Sequence, residues 1–405
     1  MIRSQATPEE ERAAAALRRA LRSEHGARAE DIRVVRSPFR ACPLGAHVDH
    51  QLGVVTGFAL SRSLLLAFAP SASPRVRLRS LDFAGEVSFD VRELPEAVPG
   101  CWGNYARGAL AALQARFDLR EGLVGIVQGL LPVGGVSSSS AVGVAYLLAL
   151  EAVNGLEVSP DENVRLDQQI ENGFLGLQNG ILDQSMILFG KAGKLLWLDC
   201  RTRERESIPL GGDASRLEIL VVHSGLSRAL IGTSYNRHVA ECREAAALLL
   251  AAAGLDVPEN PVLGVVPDDV FRKHTDALPE GLAARARHFI GERQRVEEGV
   301  QAWRDGDLVR FGALMTASGR SSIENYRCGS PEIIDLHRAL ASLPGVHGTR
   351  FSGAGYGGCA IALVEPGEAD RVSAAVAERY LAAHPERRSG FAVFRCASAD
   401  GASFL

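Results

Sequence analysis

The stretch LPVGGVSSSSAVGVAYLLAL, residues 131–150, constrains the fold more than any other part of the chain. Upstream, LVGIVQGLLPVGG (123–135) reads as a strand leading into a turn. Gly134 and Gly135 let the backbone turn sharply and let another group approach it closely. Serines 137–140 follow, then an apolar helix that stops at Asn154-Gly155. A strand that turns through Gly and Ser into a helix exposes backbone N–H groups with no intrahelical partner, at the positive end of the helix dipole. That arrangement favours an anion such as phosphate. The serine hydroxyls can cap the helix or ligate a metal ion. The same residues suit a well-capped buried helix, and this stretch alone leaves both readings open.

Around this unit, residues 8–26 read as an amphipathic helix with Pro8 near its start, Ile32–Ser37 as a short strand, Val54–Ala69 as an apolar β segment and Val76–Val91 as an alternating hairpin. Helices are expected over 101–117, 161–172, 233–254, 280–303 and 368–383, and strands over 194–200, 216–225 and 390–396. Residues 346–367 read as a glycine-rich loop feeding a strand. Strands and helices mix without regular βα alternation, so the expected class is α+β. The polar stretch RTRERESIPLGGDAS (201–215) marks the expected boundary between two domains, 1–207 and 208–405.

A chain of 405 residues can build two or three domains with a large core. Its net charge of −4 provides no global basic field, so neither nucleic acid nor an anionic membrane is an expected partner. The N-terminal stretch lacks a signal-peptide apolar region, and no apolar run approaches the roughly 18 residues of a membrane span. Seven cysteines, an odd number with no C-x-x-C pair, read as buried free thiols in a reducing, cytoplasmic setting.

Other motifs narrow the chemistry. No G-x-x-x-x-G-K-[ST] occurs, which disfavours a P-loop fold. Gly353, Gly355 and Gly358 form a formal G-x-G-x-x-G, but the strand CAIALV follows where a dinucleotide fold needs a helix. A dehydrogenase is therefore disfavoured, and an active-site loop or a plain turn remains. In FRACPLGAHVDH (39–50), His47, Asp49 and His50 have the wrong spacing for a shared metal, so hydrogen-bonding roles are expected instead.

Taken in order, these segments resemble the GHMP kinase superfamily, and within it the galactokinase-type sugar kinases. SPFRACPLGAHVDH is similar to the sugar signature, LPVGGVSSSSA to the ATP loop, FSGAGYGGC to the third motif, and ENGFLGLQNGILDQSMILFG (171–190) to the segment holding the catalytic Asp. The resemblance implies a two-domain fold, with an N-terminal domain like ribosomal S5 domain 2 and a ferredoxin-like C-terminal domain. It implies ATP and Mg²⁺ as cofactors and a small sugar as substrate, and leaves monomer or homodimer open. Residue by residue, it implies Asp183 as the catalytic Asp facing the anomeric hydroxyl, paired with Arg40. It implies Ser138 and Glu171 at Mg²⁺, and Gly134, Gly135, Ser137, Ser138 and Ser139 in the phosphate loop. Gly353 and Gly355 belong to the third motif, Trp102 lies near adenine, and His47, Asp49, Gly180 and Tyr235 meet the sugar. Trp102 and Tyr235 could also be packing residues.

Three positions depart from the family. Galactokinases usually carry Glu before the signature His, facing the sugar's 6-hydroxyl; here that residue is Ala46, His50 replaces a Tyr, and Val136 replaces a Leu. CPLGAHVDHQ resembles the galacturonokinase branch. A Glu about 4 Å from a carboxylate at carbon 6 would repel it by roughly 4 kcal/mol at an effective dielectric near 20, on the order of a thousandfold in affinity. Ala46 removes that repulsion without supplying attraction, so a cation is still required, with His50, Arg228 and Arg237 as candidates. D-galacturonate is the expected substrate. The alternatives are D-galactose, another sugar, or a sensor that binds ATP and sugar without turnover, against which the intact Asp183, Arg40, Glu171 and Ser138 argue.

Overall fold

The computed structural model describes residues 6–212, 217–226 and 234–405. Its strands, in chain order, are β1 (Arg33–Ala41), β2 (Val54–Pro70), β3 (Arg75–Ser80), β4 (Glu86–Asp90), β5 (Leu123–Gly129), β6 (Lys194–Asp199), β7 (Arg205–Pro209), β8 (Glu218–Ser224), β9 (Val346–Phe351), β10 (Cys359–Val364), β11 (Phe391–Cys396), β12 (Ser398–Ala399) and β13 (Ser403–Phe404). Its helices are α1 (Pro8–His25), α2 (Asn104–Gln114), α3 (Ser138–Asn154), α4 (Pro160–Gln169), α5 (Leu182–Phe189), α6 (Tyr235–Ala252), α7 (Asp268–His274), α8 (Glu280–Asp305), α9 (Leu308–Glu324), α10 (Pro331–Ala341) and α11 (Ala369–Ala383). None of these helices is long and apolar enough to cross a membrane.

The strands form two sheets. The first runs β13-β1-β2-β5-β3-β4, with β6 and β12 also pairing with β2, and β7 pairing with β6. Its pairings are antiparallel except β3 with β5. The second is antiparallel, in the order β11-β8-β10-β9. This is the expected α+β class. The boundary drawn at 207 falls inside β7, and the chain's last strands, β12 and β13, return to the first sheet.

Helices α5 and α7 and strands β12 and β13 are additions to the sequence reading, and three further segments differ from it for a physical reason. The stretch 201–215 contains β7, a polar edge strand with one buried residue, Ile208, too short to show alternation. The stretch 308–341 holds α9 and α10, which the composition hides. Gly312 and Gly319 weaken helix propensity in α9. They are tolerated because the helix lies against β9: a Cβ at Gly312 would come within 2.1 Å of the His347 carbonyl. The glycine-rich stretch 346–367 also has a strand, β9, before its loop.

Two links bear on the site. A register shift between Pro38 and Arg40 interrupts the β1–β2 ladder, so Arg40 emerges from a bulge. Such irregularities re-aim side chains. Trp303 on α8 is fully buried, packs against Phe58 and Phe311, and donates to the Ile208 carbonyl at 3.0 Å. It fastens the long helix of the second half to the first sheet. Trp303→Ala should lower unfolding free energy by about 3–5 kcal/mol, the usual range for a large buried aromatic. Denaturant titration measures it, and a loss below about 1 kcal/mol would contradict this packing role.

Candidate active site

A cavity of about 750 Å³ lies between the two halves of the molecule. Its walls come from the 39–49 loop, the 133–139 turn, the 179–184 segment and the 353–357 loop. Trp102, Phe83 and Tyr105 line it on the side of the β3–β4 hairpin and α2, where Trp102 Nε1 donates to the Ala84 carbonyl at 3.2 Å.

At its centre, Arg40 Nε donates to Asp183 Oδ1 at 2.6 Å, joining β1 to the first turn of α5. Ser137 Oγ donates to the other carboxylate oxygen. Arg40 also donates from Nη1 to Ser352 Oγ at 2.9 Å and to the Gly135 carbonyl at 3.4 Å. The charged side chains thus tie four segments together. Both oxygens of Asp183 are oriented, and Arg40 is held beside it with Nη1 turned toward the 133–139 turn and Ser352.

The two glycine-rich stretches pack against each other. The Cβ that Gly135 lacks would lie 2.3 Å from the Cys359 nitrogen, and that of Gly358 would lie 2.5 Å from the Gly134 carbonyl carbon. Both have positive φ, as do Gly134, Gly353 and Gly355. Ser137, just before α3, is itself left-handed at φ 55°, so its side chain turns to Asp183 instead of capping the helix. The first-turn N–H groups of α3 therefore remain free of a side-chain cap. Ser138 and Ser139 line the cavity beside them.

The metal candidates divide. Ser138 is on the wall, while Glu171 is fully buried and off the wall, in a π-turn that continues α4. Glu171 Oε2 accepts from Asn179 Nδ2 at 2.6 Å, and Oε1 has no hydrogen-bond partner. Burial, and then the charge of Asp183, raises this carboxyl to about 7. Among the described residues no cluster of three or more His, Cys, Asp or Glu could hold a metal ion. A divalent ion that takes most of its ligands from phosphate and water suits this donor set, since one hydroxyl and one under-satisfied carboxylate are what the protein adds.

At the other end, Asp49 opens a short turn, and its Oδ2 accepts from the Leu182 N–H at 3.4 Å. A Cβ at Gly180 would lie 2.4 Å from that oxygen, so the glycine gives Asp49 its place. Burial, and then Asp183, raises Asp49 to about 6. His47, Ala46 and Tyr235 line the same end. His47 has φ 60° and stacks on Tyr326, with ring centroids 4.4 Å apart.

The cation candidates fare differently. His50 turns away from the cavity: its Nδ1 accepts from Gln51 Nε2 at 2.9 Å, so Nε2 donates to the Tyr326 hydroxyl at 3.0 Å. Burial, helped by Arg243 and His288, lowers it to about 3, which leaves it neutral. Arg237 is largely exposed and pairs with Glu241 at 3.6 Å. Arg228 lies outside the described residues. Sequence reasoning missed Ser352, Asn179 and Tyr326, which hold Arg40, Glu171 and His47, and it missed the cavity-lining Arg350. For Arg40 and Glu171 the signal was a charged site residue in need of buried partners; for Tyr326 there was none.

Comparison with known proteins agrees with this geometry. Residues 104–191 match the GHMP kinases N terminal domain, and residues 297–382 match the GHMP kinases C terminal domain. A galacturonokinase of Arabidopsis thaliana is 44% identical over 399 residues, covering 93% of this chain and 94% of that protein. A galactokinase of Roseiflexus sp. is 32% identical over 369 residues, covering 91% and 92%. The crystal structure of Lactococcus lactis galactokinase with galactose superposes with a TM-score of 0.88 at 28% identity, covering 97% of this chain and all of that one. The cavity, its ion pair and its paired glycine loops are thus those of a chain that belongs to the GHMP kinase family.

Proposed function

We propose that the chain transfers the γ-phosphoryl group of ATP to the C1 hydroxyl of D-galacturonate. The single observation that carries the choice of sugar is Ala46 on the cavity wall beside His47 and Asp49. A Glu there would face a substrate carboxylate at a cost of several kcal/mol. The similarity to the Arabidopsis galacturonokinase supports the same reading.

The chemistry follows from the residues. The C1 oxygen attacks the γ-phosphorus, the bond to the bridging oxygen breaks, and ADP leaves. Asp183, with Oδ1 held by Arg40 and Oδ2 by Ser137, orients the hydroxyl and takes its proton late in the step. Arg40 places positive charge over the transferring oxygens. The uncapped start of α3 and the Gly134-Gly135 turn hold the phosphate chain. Ser138 and Glu171 would hold Mg²⁺, which when bound neutralises phosphate charge. Gly353 supports the phosphate turn, Gly355 packs the third glycine loop on Phe351 and Gly329, and Trp102 packs on adenine. Asp49 and Tyr235 meet the sugar hydroxyls across Gly180, while His47 faces the carbon-6 end. His50 acts one layer back, through Tyr326.

Attraction for the carboxylate comes partly from buried charge. Close to Ala46 lie the buried Glu292 carboxylate and two guanidinium groups, the partly buried Arg295 and the buried, cavity-lining Arg350, joined through Ser318. The excess is positive, and buried charges are poorly screened.

An ADP-release assay over hexoses and uronic acids tests the proposal. D-galacturonate should be the best acceptor. Ala46→Glu should lose on the order of a hundredfold or more of kcat/KM for the uronate. An unchanged uronate preference would remove the charge argument, silence with every sugar would favour a sensor, and preference for galactose would favour a galactokinase.

Asp183→Asn should lower turnover at least a thousandfold while ATP still binds by calorimetry; near-normal turnover would remove its assigned role. The raised carboxyl of Asp49 gives a pH signature. Below about 6 it is neutral and a poor acceptor for sugar hydroxyls, and above that it is ionised. At saturating ATP, kcat/KM for the sugar should therefore rise between pH 5 and 7 with a midpoint near 6. Asp49→Asn should flatten that limb, and a limb that persists in the variant would assign the titration elsewhere.

A further inference from the structure

Behind the sugar end of the cavity, α8 grips the turn that carries Ala46. Glu292 is fully buried there. Its Oε2 accepts the N–H groups of Gly45 at 2.7 Å and Ala46 at 3.1 Å, and the Ser318 hydroxyl at 2.9 Å. Its Oε1 accepts Arg295 Nε at 2.8 Å. One turn earlier on the same helical face, His288 Nε2 meets the Ala46 carbonyl at 2.9 Å. A carbonyl only accepts, so Nε2 carries the proton and Nδ1 accepts from the Ser321 hydroxyl at 3.0 Å. Both backbone polar groups of Ala46 are therefore engaged by one helix, from more than 240 residues away in the chain.

The protonation states agree with this assignment. Burial lowers His288 to about 4, so it is neutral near pH 7 with one ring proton to donate. Burial alone would raise Glu292, but His288, Arg295, Arg350 and the Ser318 hydroxyl outweigh it and hold the carboxyl below its ordinary value. It is ionised and can accept all four hydrogen bonds.

The grip falls next to a strained residue. His47 is a non-glycine residue at φ 60°, a strained conformation that persists only when its surroundings over-determine it. On its N-terminal side the turn packs closely on β2, where a Cβ at Gly45 would lie 2.6 Å from the Val54 carbonyl oxygen. On its far side the imidazole rests on Tyr326.

We propose that His288 and Glu292 are positioning residues for sugar recognition: by fixing the Ala46 peptide they hold His47 and Asp49 in the sugar-binding arrangement before the sugar arrives. A second consequence concerns the carboxylate. With the Gly45 and Ala46 N–H groups bound to Glu292, that peptide does not serve as the substrate's carboxylate site, and recognition at carbon 6 falls to side chains and buried charge. This inference rests on the reading of residues 45–50 as the sugar loop.

The test uses the full-length protein and three variants. His288→Leu and Glu292→Gln should each raise the sugar KM tenfold or more while the ATP KM stays within twofold. In His288→Gln, the amide NH₂ can reach the place of Nε2–H, and the sugar KM should return to within threefold of wild type. Unchanged sugar KM values in the first two variants would overturn the proposal. So would a parallel rise of sugar and ATP KM without rescue, because that pattern marks general loss of structure. Hydrogen exchange of wild-type residues 43–48 needs no variant: protection already present without sugar supports the proposal, and protection that appears only with sugar overturns it. If wild type phosphorylates no sugar at all, the substrate reading has failed, and exchange in the sugar-free protein still decides whether α8 holds the turn.

Discussion

The ion pair between Arg40 and Asp183 is the interaction on which the rest of the site depends. Burying two opposite charges costs several kcal/mol per ion before their attraction is counted, and it holds only when the remaining hydrogen-bonding positions are filled. Here they are filled by residues from separate parts of the chain: Ser137, Ser352 and the Gly135 carbonyl. Removing one partner would leave the other charge buried and uncompensated. The pair therefore forces β1, the phosphate turn, α5 and the third glycine loop to meet at one place. The bulge at Arg40 is part of the same solution, since it turns the side chain out of the β1–β2 ladder.

The glycines make that meeting geometrically possible. Two backbone segments, 134–135 and 358–359, come too close for any side chain, and Cys359 Sγ adds a contact to the Gly134 carbonyl at 3.4 Å. The resulting surface is backbone-rich and closely packed. Close packing suits phosphoryl transfer, where the protein contributes position and fixed charge more than covalent chemistry. The second carboxylate region, Glu171 with Asp167 one turn before it on α4, is buried without full hydrogen bonding. Burial raises both carboxyls, so they favour the protonated form, and a cation placed against them would favour the ionised one.

What the sequence revealed follows from the range of each signal. Strand β2, helix α3 and the Gly/Ser turn were legible because their cues lie within a few residues. Helix α9 was hidden because Gly312 and Gly319 serve a contact with β9, and propensity cannot see that contact. Strand β7 was hidden because it is held by pairing with β6 and buries little of its own. In the site, Asp183, Arg40 and Asp49 stood out in motifs, whereas His288 and Glu292 read as ordinary polar residues of a long helix. His50 was misjudged as a cation because nothing local tells that Gln51 and Tyr326 enclose it. Long-range partners decide a residue's charge state, and they are what a local reading lacks.

The same point bears on Ala46. Its N–H is bound to the Glu292 carboxylate, which is balanced by Arg295 and linked through Ser318 to Arg350. Two cations, one of them partly exposed, against one anion leave this group with a surplus of one positive charge. A Glu side chain at position 46 would cancel the surplus from the cavity side, in addition to opposing a substrate carboxylate directly. Alanine keeps the surplus available to the substrate. On this account the specificity of the cavity lies in a charge balance shared between a loop of the first half and two helices and a strand of the second, so a change in α8 or α9 can alter sugar preference without touching the sugar.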